Sequence, residues 1–228
     1  MDEVKDICIL LFVKYPENGN VKTRIATDLD ETVVRELYMN FVQDSLALIE
    51  TLRLPFFICF FPETAQDKMR AWLGEQYHFM PQKGNDLGER MKNSFLQTFT
   101  EGFNTVVLLG SDTPDLPVHF IKQAIQALRT NDVVLGPSSD GGYYLIGCTK
   151  NSYSPVFFEN IHWSTNTVFQ ETMSIFERLQ KKILVLPEWY DIDTVEDIQD
   201  FIKRNVKPNS FSRTLAYLKN KKYLFKKQ

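Results

Sequence analysis

Short continuous apolar runs alternate with longer segments of helical periodicity along almost the whole chain. Residues 6–13, DICILLFV, form the first run and lead into a Pro- and Gly-bearing stretch, KYPENGNVKTR. That order predicts a buried strand running into a loop. From Asp30 to Leu52, residues Val33, Val34, Leu37, Phe41, Leu46, Leu48 and Ile49 fall at largely helical spacing and predict a long helix. LPFFICFF (54–61) predicts a second buried strand, and 64–73 a short helix after Pro62. A short strand near 77–80, a helix over 87–100, a strong strand TVVLLG over 105–110 and a helix over 118–128 follow. The runs 132–137 and 143–148 are joined by SSDGG, which suits an antiparallel hairpin or a small excursion from the sheet. A helix near 165–179, a strand over 183–187 and a helix over 195–203 complete the series.

Strands alternating with helices predict an α/β domain with a mainly parallel sheet, helices on both faces and ligands at the carboxyl ends of the strands. No long linker or repeat breaks the pattern, so one domain is expected over 1–204, with a basic C-terminal helix or tail over 205–228.

At 228 residues with 43% hydrophobic and 24% charged positions, the chain can bury a core without a disulfide or metal staple, so any bound metal is expected to serve chemistry. The longest apolar run, Ile7 to Val13, falls far short of the roughly 20 residues that cross a bilayer, and the leading MDEVKD is acidic. Neither a membrane span nor a standard secretory signal is expected. Cys8, Cys59 and Cys148 are widely separated in strand-like surroundings, which suits buried thiols in a reducing compartment and a cytoplasmic location. A net charge of −3 gives no general reason to expect nucleic acid as a partner, but from Ile198 onward nine Lys or Arg stand against Asp200. Such a tail can mark an anionic partner or a membrane surface; a solvated terminal helix with a frayed KNKKYLFKKQ end is the plainer alternative.

The loops at the strand ends carry the candidate chemistry. The first, residues 14–24, places Lys14, Lys22, Arg24, the Thr23 hydroxyl and the permissive Gly19 directly after a strand, a set that suits a polyphosphate. It matches neither the Walker A loop nor the GxGxxG fingerprint, and an ordinary charged loop stays open as an alternative. The second, GSDTPDLP (110–117), offers Asp112 to a hard divalent cation and Asp115 to a structural role, although Asp112, Thr113 or Asp115 can equally cap the next helix. In the third, SSDGGYY (138–144), paired glycines allow close backbone approach and Asp140 can act as a base or hydroxyl acceptor, but a hairpin alone would also demand Asp-Gly-Gly. The fourth places Asp191 and Asp193 within reach of a metal, while Asp193-Thr-Val-Glu196 also reads as a helix cap with Asp197 favouring the helix dipole. Gln82, Asp86 and Arg90, and His162 to Thr165, are lesser candidates.

Six ordered segments, FVKYPENGNVKTRIA, NDLGERM, LLGSDTPDLP, LGPSSDGGYYLIG, HWST and DIDTVEDI, carry a family resemblance over about 7–201. The chain resembles the glycosyltransferase-A-like family of radical-SAM/selenodomain-associated transferases of type 1, which includes arsenosugar biosynthesis glycosyltransferases. It is more distantly similar to phospholactate and molybdenum cofactor guanylyltransferases. The resemblance implies a three-layer α/β/α sandwich, a Rossmann-like nucleotide-diphospho-sugar transferase fold with a mixed, mainly parallel sheet. It implies that Lys14, Gly19, Lys22, Thr23 and Arg24, with Asp86, bind the nucleotide, and that Asp112 and Asp193 contact Mg²⁺ or Mn²⁺. Asp140, Gly141, Gly142 and Trp163 would line the acceptor side, with Lys22, Arg24 and Asp140 as catalytic groups. Ser-Asp-Thr stands where the family's acidic motif would carry Asp-x-Asp, so this motif supplies one of the usual two carboxylates.

The expected activity is therefore divalent-metal-dependent transfer of a sugar from a nucleoside diphosphate sugar to a small-molecule acceptor. Nucleotidyl transfer from a nucleoside triphosphate to a small phosphorylated acceptor, with pyrophosphate release, uses the same loop and metal and is the first alternative. A non-catalytic nucleotide-binding module is the second.

Overall fold

The computed structural model describes residues 6–205 and 212–221. Its centre is a seven-stranded sheet made of β1 (Ile7–Lys14), β2 (Phe56–Phe61), β3 (Phe79–Pro81), β4 (Thr105–Leu109), β5 (Val133–Pro137), β6 (Tyr143–Thr149) and β7 (Ile183–Val185). The spatial order is β3-β2-β1-β4-β6-β5-β7. Only β6 runs against its neighbours, β4 and β5; the other pairings are parallel. The segment 138–142 thus closes a true hairpin inside the sheet, with β6 inserted between β4 and β5.

Strand β1 is apolar throughout because both of its faces are covered: Ile9, Leu11 and Val13 enter one core, Cys8, Leu10 and Phe12 the other. The first core is closed by α1 (Glu31–Glu50), α2 (Gln66–Leu73), α4 (Val118–Ala127) and α6 (Val195–Arg204). The second is closed by α3 (Leu87–Thr100), α5 (Val168–Arg178) and a 3₁₀ turn at Pro155–Phe158, whose Phe157 and Phe158 meet Phe95 and Phe176. The result is a three-layer α/β/α sandwich with a mixed, mainly parallel sheet.

From β1 the chain winds outward through β2 to β3, then returns to β4 and winds the other way. Strand order therefore reverses between β1 and β4, and ligands of such sheets bind in the crevice outside the carboxyl ends of the strands at that point. The loops after β1, β4, β5 and β7 all open at this edge.

The last described helix, α7 (Arg213–Asn220), lies against α1 and is not solvated all round. Leu215 and Leu218 are buried there, and the buried Asp44 of α1 accepts from Ser212 Oγ and from the Arg213 and Thr214 amides at 2.7, 2.8 and 3.0 Å. A basic surface thus coexists with a packed underside. Most of the KNKKYLFKKQ segment falls outside the described residues. The three cysteines are free and buried, and burial pushes the Cys8 thiol up to about 12, so the strand cysteines are inert. Among the described residues no helix is long and apolar enough to cross a membrane.

Candidate active site

A two-lobed cleft lies along the reversal edge. The first lobe, about 530 Å³, reaches from the loop after β1 to the start of α3; the second, about 630 Å³, spreads between the β5–β6 turn and residues 163–168. Arg24, Asp112 and Asp193 line both.

Lys22 lines the first lobe and pairs with two residues that line both. Buried Val21 and Ile25 anchor the loop on either side of it, and its own backbone takes a left-handed φ of 47°. A non-glycine residue adopts that conformation at a cost of order 1 kcal/mol, offset here by what the side chain reaches. The Lys22 side chain is only 5% exposed, and Nζ touches Asp112 Oδ1 at 2.6 Å and Asp193 Oδ1 at 2.7 Å. Burial alone pulls an ammonium pKa down; the two carboxylates outweigh that, and the net shift is upward, so Lys22 stays charged. Asp193 responds in the opposite sense: burial raises its pKa, but Lys22 and then Arg24 bring it below the usual carboxylate range. Arg24 Nη1 stands 3.9 Å from Asp193 Oδ2 and remains mostly exposed to the cleft.

Behind this pair, Tyr38 of α1 ties the two strand ends together. Its Oη accepts from the Lys14 amide and bonds Ser111 Oγ, both at 2.9 Å. Nothing in the local sequence marks Tyr38 as more than an apolar-face residue of a helix, so its part in holding the crevice emerges only from the fold.

Three carboxylates converge beside Lys22. Oxygens of Asp140, Asp191 and Asp193 lie within 4.8 Å of one another. The capping pattern of α6 falls one residue later than expected: the Thr194 side chain accepts from the Asp197 amide and Asp197 from the Thr194 amide. Asp191 and Asp193 are thereby released from capping. Asp140 Oδ1 accepts from Ser138 Oγ at 2.5 Å and from the Gly142 amide at 2.8 Å, while Asp191 Oδ1 accepts from Ser139 Oγ at 3.1 Å. Of the expected metal pair, Asp193 belongs to this trio, while Asp112 stands outside it on the other side of the Lys22 ammonium.

Crowding makes Asp191 proton-sensitive. Burial, then the Asp140 and Asp193 carboxylates, push its carboxyl up to about 7. An unfolded aspartate titrates near pH 4, so the folded state holds an extra proton between about pH 4 and 7; the associated stability is present at the acidic end and lost as pH rises through 7. In chelator-treated protein, the melting temperature of the wild type minus that of Asp191→Asn should fall between pH 5 and 8. A difference that stays flat or rises refutes the shift.

The other expected site residues divide. Lys14, Thr23, Gly142 and Trp163 line the cleft. Gly19 does not; it makes the loop's turn at φ 73°. Asp86, expected to contact the nucleotide, is exposed, lies outside the lining, and caps α3 by accepting from the Glu89 amide at 2.8 Å. Gly141 also stays outside the lining: a Cβ there would stand 2.2 Å from the Asn166 carbonyl oxygen, so its place is to let the 162–167 loop close on the hairpin. Asp115 caps no helix; it binds Arg204 and Asn205 of the far wall.

The fold is that of nucleotide-diphospho-sugar transferases and nucleotidyltransferases. A crystal structure of a candidate nucleotide-diphospho-sugar transferase from Desulfovibrio desulfuricans G20 is 42% identical, covers 96% of each chain and superposes with a TM-score of 0.92. Two further structures share the fold at much lower identity. One is 4-diphosphocytidyl-2C-methyl-D-erythritol synthase from Anaerococcus prevotii DSM 20548 (13%, covering 95% and 100% of the two chains, TM-score 0.56). The other is Rv0371C from Mycobacterium tuberculosis H37Rv in complex with manganese (11%, covering 87% and 98%, TM-score 0.54). Among curated proteins none matches significantly. Residues 45–165 match the model of DUF2064, described as "Uncharacterized protein conserved in bacteria", and the chain belongs to that family.

Proposed function

We propose that this protein is a divalent-metal-dependent glycosyltransferase that moves a sugar from a nucleoside diphosphate sugar to a small-molecule acceptor. The observation that carries the reading is the meeting, at the strand-order reversal, of a buried ammonium, a cleft-facing guanidinium and three clustered carboxylates. The 42% identical relative described as a candidate nucleotide-diphospho-sugar transferase supports it.

The donor set fits Mg²⁺ or Mn²⁺, since both take hard carboxylate oxygens and Asp191 is destabilised as an anion until a cation relieves it. Asp140, Asp191 and Asp193 would hold the ion, and its charge would help neutralise the leaving diphosphate. The chain's own cations do the rest. Lys22, fixed between Asp112 and Asp193, and Arg24, exposed at the cleft wall, present positive charge where negative charge develops on the diphosphate oxygens as the sugar departs. The first lobe takes the nucleotide. Gly142 and Trp163 border the second lobe with Asp140, whose Oδ2 makes no hydrogen bond among the described residues and can face an acceptor hydroxyl.

The test is product analysis. Nucleoside diphosphate sugars and nucleoside triphosphates are each supplied with Mg²⁺ or Mn²⁺ and a panel of small acceptors. Free nucleoside diphosphate from one sugar donor is expected, with Asp193→Asn slowing its release by about 10²- to 10³-fold. Pyrophosphate from a triphosphate, or release indifferent to EDTA, would overturn the reading.

A further inference from the structure

The second lobe, about 630 Å³, has far more room than a metal ion needs, and its charge is lopsided. Asp112, Asp140, Asp191 and Asp193 line it, against Arg24 as the one cation of the lining among the described residues. Lys22 contributes its ammonium from the first lobe, between Asp112 and Asp193. His162 precedes Trp163 in the chain, but its Nδ1 lies 3.0 Å from Glu171 Oε1 and it stands outside the lining. The rest of the wall is neutral. Leu87, Tyr143, Trp163 and Val168 give it an apolar surface, and Ser164 and Asn166 add exposed side chains that make no hydrogen bond among the described residues.

An acceptor meets this lobe with the donor already in place. The four carboxylates exceed Lys22 and Arg24 by two charges, and a metal dication at the trio would offset that excess. The diphosphate of the donor then returns the site to net negative charge and engages Arg24. A phosphate or carboxylate on the acceptor would leave water beside like charges, with no further ammonium or guanidinium in the lining to receive it. Hydroxyls carry no such penalty. They donate to carboxylates and bond with Ser164 and Asn166, while the C–H faces of a polyol suit the apolar surface.

Resting on the reading above that the first lobe takes a nucleoside diphosphate sugar and the trio a metal, we infer that the second lobe selects a polyhydroxylated acceptor that carries no anionic group. It rejects the phosphate ester of the same compound. The discrimination lies in the field of the four carboxylates, which acts against a charge before any detail of shape does.

Matched acceptors test this with the donor that yields free nucleoside diphosphate: glucose against glucose 6-phosphate, and glycerol against glycerol 3-phosphate. The uncharged member of a pair should show a kcat/KM at least about tenfold above that of its phosphate ester. Asn166→Arg, which sets a guanidinium on the exposed rim, should narrow that gap by about threefold or more. Quenching of Trp163 fluorescence reads the field without turnover, taken as wild type minus Trp163→Phe at constant ionic strength with Mg²⁺ and UDP or GDP bound. Relative to free N-acetyltryptophanamide, caesium should quench it at least about threefold more effectively than iodide. A phosphate ester used as well as its parent, a gap that Asn166→Arg leaves unmoved, or iodide quenching as effectively as caesium overturns the inference and leaves the proposed function standing. No release of nucleoside diphosphate from any sugar donor overturns both.

Discussion

Replacing Lys22 by Met is expected to slow transfer by about 10³-fold while the protein still folds. Met comes close to the length of the Lys22 aliphatic stem, which is only 5% exposed, so the loss is electrostatic rather than one of volume. Without Nζ, Asp112 and Asp193 face one another across the space the ammonium now fills at 2.6 and 2.7 Å. Asp112, half exposed, rehydrates at little cost; Asp193 is 30% exposed and keeps the Arg24 guanidinium at 3.9 Å. The stability loss is therefore held to about 1–3 kcal/mol. The diphosphate suffers more, because the cation it loses is held in place and shielded from water, where charge acts most strongly. Steady-state rates on the donor found above, with denaturant melts of both proteins, check this. A variant that keeps more than a tenth of the wild-type rate removes Lys22 from the chemistry.

The largest effect on stability should come from Asp115→Ala, with a loss of about 3–5 kcal/mol. The Asp115 side chain is 9% exposed, and Oδ2 accepts from Arg204 Nε at 2.6 Å and from Asn205 Nδ2 at 2.7 Å. Oδ1 accepts from Arg204 Nη2 at 3.2 Å and from Trp189 Nε1 at 3.3 Å. One carboxylate thus pins the end of α6 and the segment entering Asp191 and Asp193 to the loop after β4. Alanine leaves a guanidinium that is 21% exposed without this anion, set over the Tyr190 and Phe201 rings at 5.2 and 5.3 Å. For a domain of this size the loss lowers the melting temperature by about 6–20 °C. Asp115 lies outside the cleft lining, so the rate measured well below the melting temperature should change far less than in Lys22→Met. A drop of under about 1 kcal/mol would show the network to be solvent-compensated.

The order of elements is legible in the sequence because each rests on a local signal. A run such as ICILLFVK can only be a strand covered on both faces, and the alternation of such runs with helical periodicity leaves few topologies. The reversal of strand order, and with it the position of the crevice, follows from the fold class. That the loop after β1 gathers Lys14, Lys22 and Arg24 was legible too, since three cations follow the first strand directly. Pairwise geometry was not. Lys22 meets Asp193 across 171 residues, and no spacing announces that. The acidic centre was read as Asp112 with Asp193, but local pattern could not separate a capping aspartate from a cleft-facing one. The cap at Thr194 frees Asp191, and the fold sets it beside Asp140 and Asp193, a grouping no local pattern announces. Asp86 shows the same ambiguity, since an Asp three residues before a Glu at a helix start also caps its own helix. Tyr38 and the docked underside of α7 depend on contacts between distant segments, and a basic, polar stretch conceals Leu215 and Leu218.

The metal centre is the point on which the proposed chemistry turns, and manganese can report it directly. Crystals soaked with Mn²⁺ and either GDP or UDP, with data collected at the manganese absorption edge, should show one strong anomalous peak within coordinating distance of Asp140, Asp191 and Asp193, with the diphosphate between it and Lys22. A peak held by Asp112 with none at the trio, or a diphosphate bound with no manganese beside it, would contradict the assignment.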